Sequence, residues 1–144
     1  MSSSTDAALE SIVQRGLEAY RAGRFFEAHE LWESGWRDEP DPVRKTFLQG
    51  LILVAAAMHK LTRMQSPPGA LRLLDKARAR LAGTPDGMGG LAIPLLVDDI
   101  TRAAAVIEQL ASGERTEIDA SLLPRMEIAG DVAPPSPSGA RSRP

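Results

Sequence analysis

Apolar residues return every three or four positions in five segments of this chain, and this helical spacing limits the fold more than any other property. Such spacing places the apolar side chains on one face of an α-helix. Strict alternation of apolar and polar residues is absent and β-branched residues are sparse, so no segment favours a strand. The predicted class is all-α. The five helices are expected near residues 6–22, 24–37, 42–63, 70–81 and 91–112.

The third of these segments is apolar almost all the way round, which is typical of a central helix covered by its neighbours. Its most apolar run, LILVAAAM at 51–58, is far shorter than the roughly 18 to 20 residues that span a bilayer. We therefore expect a buried central helix and no membrane partner. With 144 residues, of which 43% are hydrophobic, the chain can bury a core as one domain. Residues 1–112 are predicted to form this helical bundle.

Helical periodicity fades after residue 113. The string SLLPRMEI could add a short extended piece against the bundle, so residues 113–130 are predicted to be a loosely packed extension. Residues 131–144, DVAPPSPSGARSRP, are rich in proline and serine and contain no core formers. This composition predicts a disordered tail.

Charge and cysteine content exclude several classes of function. Seventeen Lys and Arg against nineteen Asp and Glu give a net charge of −2, so the basic excess that drives binding to a phosphate backbone is missing and no nucleic-acid partner is expected. The absence of cysteine excludes disulfides, thiolate metal sites and cysteine nucleophiles. The N-terminal string MSSSTDAALE lacks the basic start and apolar run of a signal peptide, which predicts a cytoplasmic location.

Residues whose side chains could take part in catalysis or binding are concentrated in RFFEAHELWESGW at 24–36. This segment holds one of the two histidines, both tryptophans and three glutamates. Helical geometry puts His29 on the inward face of the second helix, with Glu33 at its edge. On the third helix Gln49, Ala56 and His59 share a stripe, where the small Ala56 would allow a neighbouring helix to approach closely. If the two stripes face each other, the histidines, the glutamate and the glutamine converge within an apolar bundle.

This convergence has two interpretations. A histidine bonded to a glutamate and a glutamine is an ordinary way to satisfy polar groups in a helical core. Alternatively, His29, Glu33 and His59 would form a pocket for a small ligand, zinc or iron, or an acid/base site. Established catalytic motifs do not match, because HELWE ends on Glu33 where zinc proteases carry a second histidine. There is also no E-x-x-H pair and no glycine-rich phosphate loop, so no catalytic residue, metal or cofactor is assigned.

The strings FFEAHELWESGWR, FLQGLILVAAAMHKL and GALRLLDKARARL, in this order, resemble the prokaryotic family named domain of unknown function 309. The resemblance covers roughly residues 9–110 and implies a small helical bundle, without implying an activity, substrate or cofactor. The predicted polar cluster or pocket contains the polar and aromatic positions of this motif together with the second histidine. Its members are Glu27, His29, Glu30, Glu33, Trp36, Gln49 and His59.

The string AYRAGRFFEAHELWESGW also resembles one unit of a tetratricopeptide repeat. No second copy follows at an offset of about thirty-four residues, so hairpin packing of the same style is indicated and a repeat array is not. The sequence therefore predicts a non-enzymatic interaction or structural module that could offer a groove to a protein partner. The alternative is a small ligand-binding or metal-binding protein, or an enzyme, that uses the histidine pocket.

Overall fold

The computed structural model describes residues 4–117 and 123–127. This part of the chain forms five α-helices and one short 3-10 turn, which confirms the predicted all-α bundle. None of these helices combines the length and the apolar character that a membrane crossing requires. The helices are α1 (Ser4–Arg21), α2 (Phe25–Asp38), α3 (Pro42–Thr62), α4 (Pro67–Ala82) and α5 (Ile93–Ser112), with the 3-10 turn at Met88–Gly90.

Helix boundaries follow local chemistry. Gly23, with φ +81°, takes the left-handed conformation just beyond α1, which glycine adopts without a steric penalty. Asp41 caps α3 by accepting a hydrogen bond from the Arg44 amide at 2.9 Å. α4 begins three residues earlier than expected, because Ser66 caps it and Pro67 occupies the first turn, where the missing amide hydrogen of proline forfeits no helical bond.

The third helix is central, as predicted. It packs against α2 on one side and α4 on the other, while α1 packs on α2 and α5 on α4. Its side chains are buried on several faces. The buried residues of α3 are Phe47, Leu48, Gly50, Leu51, Val54, Ala55, Ala57, Met58 and Leu61.

One close approach to α3 lies away from the stripe that contains Gln49, Ala56 and His59. Ala55 and Ala57 are fully buried, whereas Ala56 between them is only half-buried. The tight contact is made at Gly50, where an added Cβ would lie 2.6 Å from Cγ of Leu81. A helix that is apolar nearly all round gives no periodic signal for its deepest face, so the sequence did not mark Ala56 as less buried than its neighbours.

A short C-terminal segment without regular secondary structure, residues 123–127, packs on the bundle; we call it the strap. Its Met126 side chain is fully buried. The hydroxyl of Tyr20 donates to the Pro124 carbonyl at 2.7 Å, and Arg21 donates to the Met126 carbonyl at 2.9 Å. The Ala92 amide donates to the carbonyl of Glu127 at 2.9 Å. These bonds tie the strap to the end of α1 and the start of α5.

The predicted division into a bundle at 1–112 and an extension at 113–130 stays a prediction. The predicted tail at 131–144 lies outside the described residues.

Because Tyr20 is buried in this attachment, the stability of the protein is expected to fall at alkaline pH. Burial, and to a smaller extent the charge of Asp99, raises the pKa of Tyr20 far above its ordinary value. The folded protein therefore keeps the phenol proton at a pH where the unfolded chain loses it, near 10. The free energy of unfolding should be unaffected by this group below that pH. Above it, the free energy should fall by up to about 1.4 kcal/mol per pH unit.

Tyr20 is the only tyrosine, so ultraviolet absorbance of tyrosinate reports its ionisation directly. We expect Tyr20→Phe to flatten the alkaline decline of stability, measured by urea unfolding across the pH series. Native absorbance that rises near pH 10, as for a free phenol, would contradict the burial of this hydroxyl.

Candidate functional site

The predicted site residues are spread along the hairpin of α2 and α3. Phe26, in the first turn of α2, contacts His59 near the end of α3. At the opposite end, the ring of Trp36 lies beneath Lys45, with Nζ 4.2 Å from the ring centroid. The two helices are therefore antiparallel. His29 and Trp36, which are seven positions apart on α2, lie about 10 Å from each other along the helix axis.

Both histidines contact the same exposed aromatic ring. The rings of Phe26 and His29 are stacked, with centroids 6.0 Å apart and an interplanar angle of 4°. His59 approaches the same phenyl ring at 5.6 Å and 45°. Phe26 is 54% exposed, whereas both histidines are half-buried. We call these three residues the aromatic patch.

His29 lacks the hydrogen bonds that the core interpretation expected. Its Nδ1 atom is buried and has no hydrogen-bond partner in the described part of the chain. Glu33 instead lies near Arg37, with Oε1 3.4 Å from Nη2, on a side chain that is about one-third exposed. Gln49 is half-buried. The structure therefore joins His29 to His59 through Phe26, and it turns Glu33 towards an arginine of its own helix.

The remaining predicted residues are dispersed. Glu27 forms an exposed ion pair with Arg24 at 2.8 Å, and Glu30 is exposed. Trp36 is half-buried at the far end of the hairpin, where its carbonyl accepts a hydrogen bond from Lys45 at 2.7 Å. Across residues 4–117 and 123–127, no three histidine, aspartate or glutamate side chains are grouped so as to hold a metal ion.

A shallow cavity of about 280 Å³ adjoins the aromatic patch, and Phe26, His59 and Arg63 contribute to its wall. Arg24 and Glu27 also line it and compensate each other's charge. Arg63 is exposed and forms no ion pair among the described residues. The charged residues that line this cavity therefore sum to one net positive charge, that of Arg63.

Phe26 and Arg63 were not among the residues that the sequence singled out. A signal for Phe26 was present, because it lies about 200° around the helix from the buried Ala28. A large apolar residue so far from the buried face indicates either a contact surface or an unusual packing partner. Arg63 shares the stripe of His59, one turn further along, but an arginine at the end of a helix is common and does not by itself indicate a site.

Comparison with protein families places this hairpin in a known group. The family model described as Domain of unknown function (DUF309) matches residues 13–73. Residues 13–73 are thus similar to the members of that family. The matched region contains all seven predicted site residues, the aromatic patch and Arg63, so the candidate site lies wholly within it. Among curated proteins, no relative matches the chain.

Proposed function

We propose that the chain is a non-enzymatic interaction module and that the aromatic patch is its docking surface. The observation that carries this proposal is a phenylalanine that is 54% exposed while resting against two half-buried histidines. These contacts restrain the ring before binding, so a partner that covers it loses little side-chain entropy on association. Exposed aromatic residues of this kind are enriched among the anchors of protein interfaces.

The positive charge of Arg63 beside the ring is the basis for the chemistry that we propose for the partner. Arg63 has no carboxylate partner among the described residues, and it lines the cavity beside Phe26. A segment that places an apolar side chain in this cavity and a carboxylate near Arg63 would complement both features. The proposed partner is therefore an acidic protein segment with an apolar anchor.

Affinity capture from the native host tests this proposal with matched variants. We expect Phe26→Ser to reduce the yield of the captured partner by about ten-fold or more, which corresponds to a loss of roughly 1.4 kcal/mol. The control is Val43→Ser, because Val43 is similarly exposed, at 48%, but lies at the other end of α3. Arg63→Gln should weaken capture and reduce its dependence on salt.

Three observations would support the proposal together: loss with Phe26→Ser, retention with Val43→Ser, and an acidic segment at the mapped contact. Equal capture by the parent and Phe26→Ser, or a partner whose contact segment is basic, would contradict it. The cytoplasmic location of the chain stays a prediction.

One observation favours the alternative of a ligand or metal pocket, namely the buried Nδ1 atom of His29 without a partner. A neutral imidazole nitrogen is a common metal ligand. Metal analysis of protein purified without a histidine tag separates the two functions. We expect no stoichiometric metal. A stoichiometric ion that is lost in both His29→Ala and His59→Ala would replace the docking proposal with the pocket.

A further inference from the structure

We propose that a second cavity, between the strap and the turn that joins α1 to α2, binds an amphipathic organic anion. The cavity measures about 510 Å³ and is lined by residues of both parts, including Tyr20, Phe25, Leu123 and Pro124. Sites for small molecules in proteins usually enclose about 300 to 1,000 Å³. The cavity is thus large enough for a ligand of one or two rings, or for a short alkyl chain.

The apolar wall of this cavity is held in place before any ligand arrives. The rings of Tyr20 and Phe25 meet edge to face, with centroids 5.1 Å apart. The Tyr20 hydroxyl is already bonded to the Pro124 carbonyl, so the tyrosine presents its ring as an apolar surface. The fully buried ring of Trp32 lies next to the tyrosine ring, with centroids 6.2 Å apart. A preformed apolar wall favours a ligand with an aromatic or alkyl body.

Charged residues of the lining favour an anionic head group. Arg21 and Arg125 line the cavity together with one carboxylate, that of Glu127. Arg21 uses Nη2 on the Met126 carbonyl and makes no other hydrogen bond among the described residues. Arg125 is 68% exposed, and its Nε atom is 3.9 Å from the Glu127 carboxylate, beyond hydrogen-bond distance. Two guanidinium groups with spare donors suit a carboxylate or sulfonate.

The two walls come from parts of the chain that are about a hundred residues apart, so a bound anion would hold the strap against the bundle. This proposal does not depend on the aromatic patch, although Gly23 and Phe25 border both cavities.

Isothermal titration calorimetry of the full chain with 4-phenylbutanoate tests the proposal, with 4-phenylbutanamide as a probe of the same shape without charge. We expect saturable one-to-one binding of the anion. The affinity for the amide should be weaker by a factor of about ten or more. Arg125→Gln should weaken binding of the anion about three-fold or more, because an exposed guanidinium contributes modestly. As a single substitution, Arg21→Gln should weaken binding of the anion more than Arg125→Gln does. Arg72→Gln, an exposed arginine of α4, should leave the affinity unchanged.

Methyl chemical shifts then locate the probe. Shifts that centre on Leu123, whose side chain lines the cavity, support the site. Absence of saturable binding, equal affinities for anion and amide, or unchanged affinity in both Arg21→Gln and Arg125→Gln would overturn it. Shifts centred on the aromatic patch would overturn it as well. Because Arg125 is exposed, its variant keeps the test valid even if Arg21→Gln loosens the strap.

Discussion

Replacing Gly16 with alanine is expected to lower the free energy of unfolding by about 3 kcal/mol, the upper end of the range for overpacking a core. An added Cβ would lie 2.1 Å from Nε1 and 2.3 Å from Cε2 of Trp32. That indole is fully buried, and its Nε1 donates to the Val13 carbonyl at 3.3 Å. The ring cannot move without losing this bond and its packing. The usual gain of about 1 kcal/mol from alanine inside a helix is therefore reversed.

Gly83→Ala is the matched control for this substitution. A Cβ at Gly83 meets nothing within 4 Å, and its φ of −94° is open to any residue. We expect its midpoint in urea unfolding to match that of the parent. If Gly16→Ala were as stable as Gly83→Ala, then α1 and α2 would not pack through Gly16 and Trp32, and the position of the aromatic patch on α2 would be in error.

Met126→Ala is expected to cost about 2 to 5 kcal/mol, the range for truncating a buried methionine to alanine. Its side chain is fully buried although the residue belongs to a short segment beyond the last helix. Its backbone has φ +59°, a left-handed conformation that costs a non-glycine residue about 1 to 2 kcal/mol. The packing of the side chain must outweigh this cost, so removing it should release the strap.

The neighbouring Arg125→Ala provides the comparison, because exposed substitutions usually change stability by less than about 0.5 kcal/mol. Thermal and urea unfolding of both variants should show a large loss for Met126→Ala alone. Equal stabilities would mean that the strap contributes nothing to the fold, and the cavity beneath it would lose its outer wall.

The helices themselves could be predicted because each contains local signals. Asp41 and Pro42 mark the start of α3, and Gly23 marks the end of α1, through effects that act within one turn of the chain. The deepest face of α3 could not be predicted in this way. Gly50 is tight because Leu81 lies against it, and no local pattern encodes that distant contact.

The candidate site shows the same division between local and tertiary effects. Helical spacing predicted that His29 and His59 could converge, and in the structure both contact the ring of Phe26. It did not show that Glu33 would turn to Arg37, a residue one turn away on its own helix, where an ion pair forms without any tertiary contact. Nor did it show Phe26 between the histidines, because the side chain lies outside the buried stripe that periodicity detects.

The role of Phe26 as a contact residue is tested most directly by site-specific photo-cross-linking in the native host. A photoreactive phenylalanine analogue at position 26 is compared with the same analogue at position 43. We predict one dominant adduct from position 26, absent from position 43, and a cross-linked peptide that carries acidic residues beside an apolar side chain. Identical adduct patterns from the two positions, or no adduct specific to position 26, would contradict the account.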